Sequence, residues 1–141
     1  MRKSSVYLAA VAASLVALVV PGLAQADPGV TVTIGSTATL QSRVLLTVPI
    51  TVTCDPVGNF FSMSFVSVEQ ASGTRIASGS GFISTLTCDS APHTYQVSVL
   101  AGASGPPFHG GSAIASASVS IFGSLGSEAG NAGPQAISVH G

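Results

Sequence analysis

The sequence predicts an all-β protein, an antiparallel β-sandwich of about seven strands with one disulfide. Several segments alternate apolar and polar residues with period two, as strands with one buried face do. Glycine, proline and serine lie between these segments, where turns are expected. Two cysteines, Cys54 and Cys88, each end an alternating segment in similar settings, Val-Thr-Cys-Asp-Pro and Leu-Thr-Cys-Asp-Ser.

The N-terminal residues are typical of an export signal. A positively charged start precedes an apolar run over 6–20, and Ala24 and Ala26 supply small residues for cleavage. An uncleaved anchor is less favoured, because the run is shorter than the roughly 20 residues of a membrane-spanning helix. We therefore expect a signal peptide over 1–26 and one secreted, extracellular domain over 27–141, with no membrane contact after cleavage.

The first strands are predicted from side-chain phase. A short strand is expected over 30–34, and the even positions of 44–54 are expected to face the core while the odd ones face water. The even positions are Val44, Leu46, Val48, Ile50, Val52 and Cys54. In 60–68 the apolar phase changes after Phe65, and this change predicts a β-bulge near that residue.

The later strands are predicted in the same way. Ile76, Phe82 and Leu86 share one phase of a weaker strand, and residues 123–134, rich in glycine, serine and alanine, are expected to form a flexible connection. Strands are expected over 75–86, 95–101, 113–121 and 136–140.

We predict that Cys54 and Cys88 form the disulfide, because an exported domain is oxidised and the cysteines are paired in number. If consecutive strands alternate in direction, both cysteines reach the same end of the domain, where a bridge is geometrically feasible. The same argument puts His93 at that end and His109 at the opposite end, so the two histidines are not expected to share a metal or a substrate.

One pattern resembles a known family. Residues 92–101 contain Tyr-x-Val-x-Val-x-Ala, which resembles the penultimate strand of immunoglobulin-like and fibronectin-type-III-like domains. Together with Thr-Val-Pro-Ile-Thr-Val-Thr-Cys, the body from about 30 to 122 is similar to small secreted Ig-like domains of bacteria. The resemblance implies an Ig-like β-sandwich and no particular activity. Since the chain lacks tryptophan and its cysteines are closely spaced, the disulfide is expected to strap one end.

A second resemblance lies in the C-terminal stretch Ala-Gly-Asn-Ala-Gly-Pro-Gln-Ala-Ile-Ser over 129–138. This stretch is similar to the C-terminal end of neocarzinostatin-type apoproteins, which are Ig-like carriers of enediyne chromophores. It implies carriage of a small molecule. That family usually has two disulfides, whereas this chain can form one.

Charge excludes some classes of partner. The chain has four basic and five acidic residues, and two of the basic ones lie in the export signal. A nucleic-acid interface needs a basic surface that replaces phosphate counterions, and an anionic membrane needs a basic patch. We therefore expect neither partner.

Catalytic and cofactor motifs are not found in the sequence. No Gly-x-Ser-x-Gly element occurs, and no nucleophile with a base in reach is predicted. The protein is expected not to be an enzyme and to need no cofactor or metal. The one candidate for a metal site is the pair Asp55 and Asp89, which follow the cysteines. The two carboxylates either form half of a calcium site or each hydrogen-bond their own turn.

The loop Gly-Pro-Pro-Phe-His-Gly-Gly over 105–111 is the candidate ligand-binding segment. Prolines stiffen it, and rigid loops of β-domains are common recognition elements. Its candidate residues are Pro106, Pro107, Phe108 and His109. Phe108 either projects as an aromatic contact or folds back and plugs the end of the domain.

The sequence therefore favours a secreted, non-catalytic Ig-like module that binds an extracellular protein or glycan. The alternative is a small-molecule carrier of the neocarzinostatin type, and a third, less favoured hypothesis is an uncharacterised hydrolase. The ligand and the oligomeric state are open at this stage.

Overall fold

The structure is a computed structural model that describes residues 29–141, and this part is built from strands without any helix. The predicted export signal over 1–26 lies outside the described residues. Within the described part, no helix is long and apolar enough to cross a membrane. The strands are β1 (Val30–Ile34), β2 (Thr37–Ser42), β3 (Leu45–Cys54), β4 (Phe60–Ser72), β5 (Arg75–Gly81), β6 (His93–Ala101), β7 (Gly111–Gly123) and β8 (Gly126–His140).

The strand pairings close on themselves. They run from β3 through β6, β5, β4, β7, β8 and β2, and then return to β3. β1 and β2 share one edge of β3, with β1 beside its second half and β2 beside its first half. Every pair is antiparallel except β2–β8, so the predicted all-β class is confirmed and the expectation of a purely antiparallel arrangement is corrected to a mixed sheet.

The inward side chains of all eight strands form one hydrophobic core. The predicted alternation of β3 is confirmed from Leu46 to Cys54, and that of β7 from Ala113 to Ile121. Val44 is the exception, since it lies in the turn before β3 and is 52% exposed. The short strand β2 was not predicted from the sequence.

The predicted bulge in β4 is wrong. β4 pairs with β7 in unbroken register from Phe60 to Glu69, so the phase of the strand never changes. Val66 and Val68 therefore point into the core, whereas the apolar residues of the other phase point outward. Those outward residues are Phe61, Met63 and Phe65, which are 54–62% exposed.

Two further expectations are corrected. The strand predicted over 75–86 ends earlier, at Gly81. Of the three apolar residues predicted to share its inward phase, Ile76 and Phe82 are exposed and only Leu86 lies in the core. Residues 123–134 are not a flexible connection, because most of them belong to β8, which forms a long hairpin with β7. Gly130 lets β8 approach β1 closely, because a Cβ at this position would collide with the backbone carbonyl of Val30.

The disulfide Cys54–Cys88 is confirmed, with the two Cα atoms 4.8 Å apart. The first half of β4 pairs with β7 on one edge and with no strand on the other edge. The disulfide fastens the loop 82–92 over this unpaired edge. The amide of Ile83 donates to Ser64 Oγ at 2.6 Å, and that of Thr87 donates to the hydroxyl of Tyr95 at 2.9 Å. Leu86, 8% exposed, fills the core beneath the loop.

Candidate binding surface

The candidate loop places its aromatic residue inside the domain. Phe108 is 1% exposed and belongs to the core, while Pro106 and Pro107 are half-buried. The amide of Phe108 donates to the carbonyl of Arg43 at 2.8 Å. The ring has room because residue 79 is glycine: a Cβ there would lie 2.8 Å from Phe108 Cζ. The aromatic ring of this loop is therefore a plug, and not an exposed contact.

A buried amide side chain holds the same loop. Gln70, on the inward face of β4, is 1% exposed. Its Nε2 donates to the carbonyl of His109 at 2.8 Å, and its Oε1 accepts from the amide of His109 at 2.9 Å. The imidazole of His109 lies against the carbonyls of Ala71 and Gly110, at 3.0 and 2.8 Å. Sequence reasoning missed Gln70, although its position in phase with Val66 and Val68 is the signal of a buried polar residue.

We expect Gln70→Leu to lower the free energy of unfolding by about 2 kcal/mol, because it leaves the part-buried amide and carbonyl of His109 without their side-chain partners. Urea denaturation followed by circular dichroism measures the change. The matched control is Gln96→Leu, at an exposed position of β6. Equal stability of Gln70→Leu and the wild type would contradict the assigned role.

The acidic residues beside the disulfide both bond groups of the loop 82–92 and its end, Asp55 from outside the loop and Asp89 from within it. Asp55 Oδ1 accepts from the hydroxyl of Ser90 at 2.9 Å. Asp89 Oδ1 accepts from the amide of Ala91 at 3.0 Å and lies 2.8 Å from Nε2 of His93. Among residues 29–141 there is no group of three or more histidine, cysteine or acidic side chains that could hold a metal ion. Asp89 thus bonds its own turn, as one of the two alternatives predicted, whereas Asp55 bonds the neighbouring loop and not its own turn.

The hydrogen bond from His93, with that from the amide of Ala91, lowers the pKa of Asp89 below its usual 3.8. Because the folded-state pKa is depressed, this carboxylate stabilises the fold above pH 3.8, and the contribution is lost as the pH falls through the folded-state pKa. We expect His93→Ala to move the pKa back toward 3.8, as measured by carboxyl NMR titration. His140→Ala, at the other end of the chain, should leave the titration of Asp89 unchanged.

Exposed apolar side chains are concentrated on the outward side of β4 and its neighbours. We call this surface the apolar face. It contains residues from β4, β6 and β7 and the residue after β5, each 46–70% exposed: Phe61, Met63, Phe65, Phe82, Leu100 and Phe122. The rings of Phe61 and Phe122 stack with centroids 6.2 Å apart. One charged side chain borders the set: Glu69, on the outward side of β4, lines a groove with Phe65 and Leu100.

Serines of the neighbouring strands border the apolar residues of β4 on the apolar face. Met63 lies opposite Ser120 and Phe65 opposite Ser118 on β7, while Ser67 lies opposite Ser80 on β5. These pairings follow from the unbroken register of β4, which turns one whole phase of the strand outward. The apolar face is thus bordered by hydroxyl groups.

The outward side of β1 and β3 has a different chemistry. We call it the hydroxyl face, because threonines lie side by side across neighbouring strands: Thr33 is opposite Thr51, and Thr31 is opposite Thr53. The hydroxyls of Thr51 and Thr94 are 2.8 Å apart. Neither β1 nor β3 has an exposed large apolar residue. Within the strands, exposed large apolar residues therefore lie on β4, β5, β6 and β7, and the turns add Val44 and Leu125.

An open groove of about 600 Å³ crosses the apolar face from β4 over the end of β5 to β6. Phe65, Phe82 and Leu100 provide its apolar lining, and Ser80 and Ser98 provide hydroxyls. The volume falls within the range of about 300–1,000 Å³ that is typical of small-molecule sites.

Two of the histidines, His93 and His109, lie at opposite ends of the domain. His93 contacts Asp89 at the disulfide end, and His109 contacts backbone carbonyls at the opposite end. Within 29–141, no serine or threonine hydroxyl is hydrogen-bonded to a histidine ring. A serine nucleophile needs such a base in reach.

In comparisons with known proteins, no family model, no curated protein and no solved structure matches the chain. A functional proposal therefore depends on the residues of this chain.

Proposed function

We propose that this protein is a secreted, non-catalytic Ig-like β-sandwich that binds an extracellular partner through its apolar face. The observation that carries the proposal is the concentration of exposed phenylalanine, methionine and leucine on one side of the domain. Alternating strands, the Tyr-x-Val-x-Val-x-Ala pattern and the signal-like N-terminus support the fold and the location. The candidate loop around Phe108 is not the recognition surface in this proposal, because its ring is buried.

The size of the apolar face supports recognition. With the aromatic value of about 150–250 Å² applied to each whole side chain, the exposed fractions of the six residues correspond to roughly 500–900 Å² of apolar surface. The largest apolar patch on a typical monomer is about 300–600 Å² and is often functional. Burial of this surface by a partner would remove it from water, which is the main favourable term in most protein association.

The test compares one variant on each face. The wild type, Phe65→Ser and Thr33→Ala are immobilised and exposed to native culture medium and to a panel of glycans, and bound material is quantified by mass spectrometry. We expect a retained partner whose amount falls strongly with Phe65→Ser and is unchanged with Thr33→Ala. Retention that is independent of Phe65 contradicts the proposal, as does hydrolase turnover that is abolished by His93→Ala.

A second candidate function is carriage of a small molecule. The groove lined by Phe65, Phe82 and Leu100 favours it, because its volume and apolar lining suit an organic ligand. The stretch that resembles neocarzinostatin-type apoproteins lies beside it: residues 131–134 line a second pocket with Phe65. Organic extraction of natively purified protein, followed by mass spectrometry, tests this function. A stoichiometric chromophore supports it, and an empty extract contradicts it.

A further inference from the structure

We propose that the partner of the apolar face is a second copy of this chain, and that the two copies form a twofold-symmetric dimer. The inference rests on the proposed function, since it takes the apolar face to be a recognition surface. It is carried by the area of that face, by the position of its one bordering charge, Glu69, away from the centre, and by the self-complementary pattern of its side chains.

The area is close to what a stable dimer needs. A standard interface buries about 800 Å² on each partner. The exposed parts of the six apolar side chains supply roughly 500–900 Å², when the aromatic value of about 150–250 Å² is applied to each whole side chain. The serine rows of β5 and β7 border these side chains and supply the polar rim that such interfaces have.

The pattern of the face suits a copy of itself. In a twofold interface the same patch contacts itself, so a charge near the axis meets a like charge. No charged residue lies among the six apolar residues. A twofold axis through Met63 would bring Phe61 of one protomer opposite Phe65 of the other. Glu69, four residues after Phe65 on the outward side of β4, would lie at the border of the contact, away from the axis. Two sheet faces with apolar side chains pack at about 10 Å in this way.

The charge of the whole domain also permits close approach of two copies. The described residues contain two arginines and four acidic residues, and none of the six lies among the residues that form the apolar face. A partner of strongly opposite charge would find few groups to pair with on this side. A copy of the chain matches the face in its balance of apolar and hydroxyl groups.

The test is sedimentation equilibrium of the full chain expressed with its export signal in an oxidising host and purified from the medium. We expect a dimer for the wild type, a monomer for Phe65→Asp, and a dissociation constant raised about 30-fold or more for the milder Phe65→Ser, as for a central interface residue. Thr33→Asp on the hydroxyl face should remain dimeric. Circular dichroism establishes that each variant is folded.

Two results would overturn the dimer. One is a wild-type protein that is monomeric up to millimolar concentration, and the other is a dimer that a folded Phe65→Ser variant retains unchanged. These results are distinguishable from failure of the proposed function. A monomeric wild type that retains another extracellular molecule in a Phe65-dependent manner removes only the dimer, whereas loss of all Phe65-dependent binding removes both proposals.

Discussion

Replacing Cys54 and Cys88 together by alanine is expected to lower the free energy of unfolding by about 3–4 kcal/mol in the chain-entropy model. The bridge closes a loop between residues 34 positions apart and so restricts the conformations of the unfolded chain. Its removal raises the conformational entropy of the unfolded chain, which favours unfolding. Small domains are stable by only about 5–15 kcal/mol in total, so the loss is a large fraction. For a domain of this size we expect a fall in Tm of roughly 10–20 °C.

The structure adds a local consequence to this prediction. The disulfide holds the loop 82–92 over the unpaired edge of β4, with Leu86 in the core beneath it. Without the bridge, only a few hydrogen bonds fasten the loop, among them those of Ile83 and Thr87. Hydrogen exchange of these two amides should therefore accelerate more than that of amides in the centre of β7.

Thermal and urea unfolding, followed by circular dichroism, measure the global effect. The control is the double-alanine variant with excess reductant, because reductant should lower the Tm of the wild type and leave that of the variant unchanged. A wild type whose unfolding is insensitive to reductant would show that the bridge contributes nothing to stability.

The period-two pattern predicted strands where one phase is clearly polar. In β3 and β7 threonine, serine or proline occupies most positions of one phase, so the buried phase follows directly. In β4 both phases contain large apolar residues, and the pattern alone does not determine which side is covered. The neighbouring strands decide, because they keep β4 in unbroken register with β7. The apolar face is therefore one of the features that sequence reasoning missed.

Strand neighbours were less predictable than strand positions. β3 and β4 follow each other in sequence, yet the long partner of β3 is β6, which lies about forty residues later. The length of β8 was missed for a related reason: its many small residues have weak strand propensity, and its long ladder of hydrogen bonds to β7 compensates. Both features depend on non-local contacts, which side-chain periodicity does not report.

Phe108→Ala is expected to lower the free energy of unfolding by about 3–5 kcal/mol, because it leaves a cavity in place of a buried aromatic ring. The ring is 1% exposed, and Gly79 leaves the space that it occupies. Had this residue been a ligand contact, its truncation would cost binding and little stability. Urea denaturation of the variant therefore separates a structural from a recognition role for the whole loop.

Two further variants sharpen this test. Pro107→Ala changes the neighbouring, half-buried residue and is expected to cost less than about 1 kcal/mol, because it removes no core side chain.

Gly79→Ala should destabilise the wild type, since its Cβ would lie 2.6 Å from the carbonyl oxygen of Leu100 and 2.8 Å from the ring of Phe108. Part of that loss should disappear in the Phe108→Ala background, where only the carbonyl contact is left, so the double-mutant cycle should give a coupling of at least about 0.5 kcal/mol. Additive effects, or a Phe108→Ala variant as stable as the wild type, would show that the ring does not plug the core and would return the loop to consideration as a binding element.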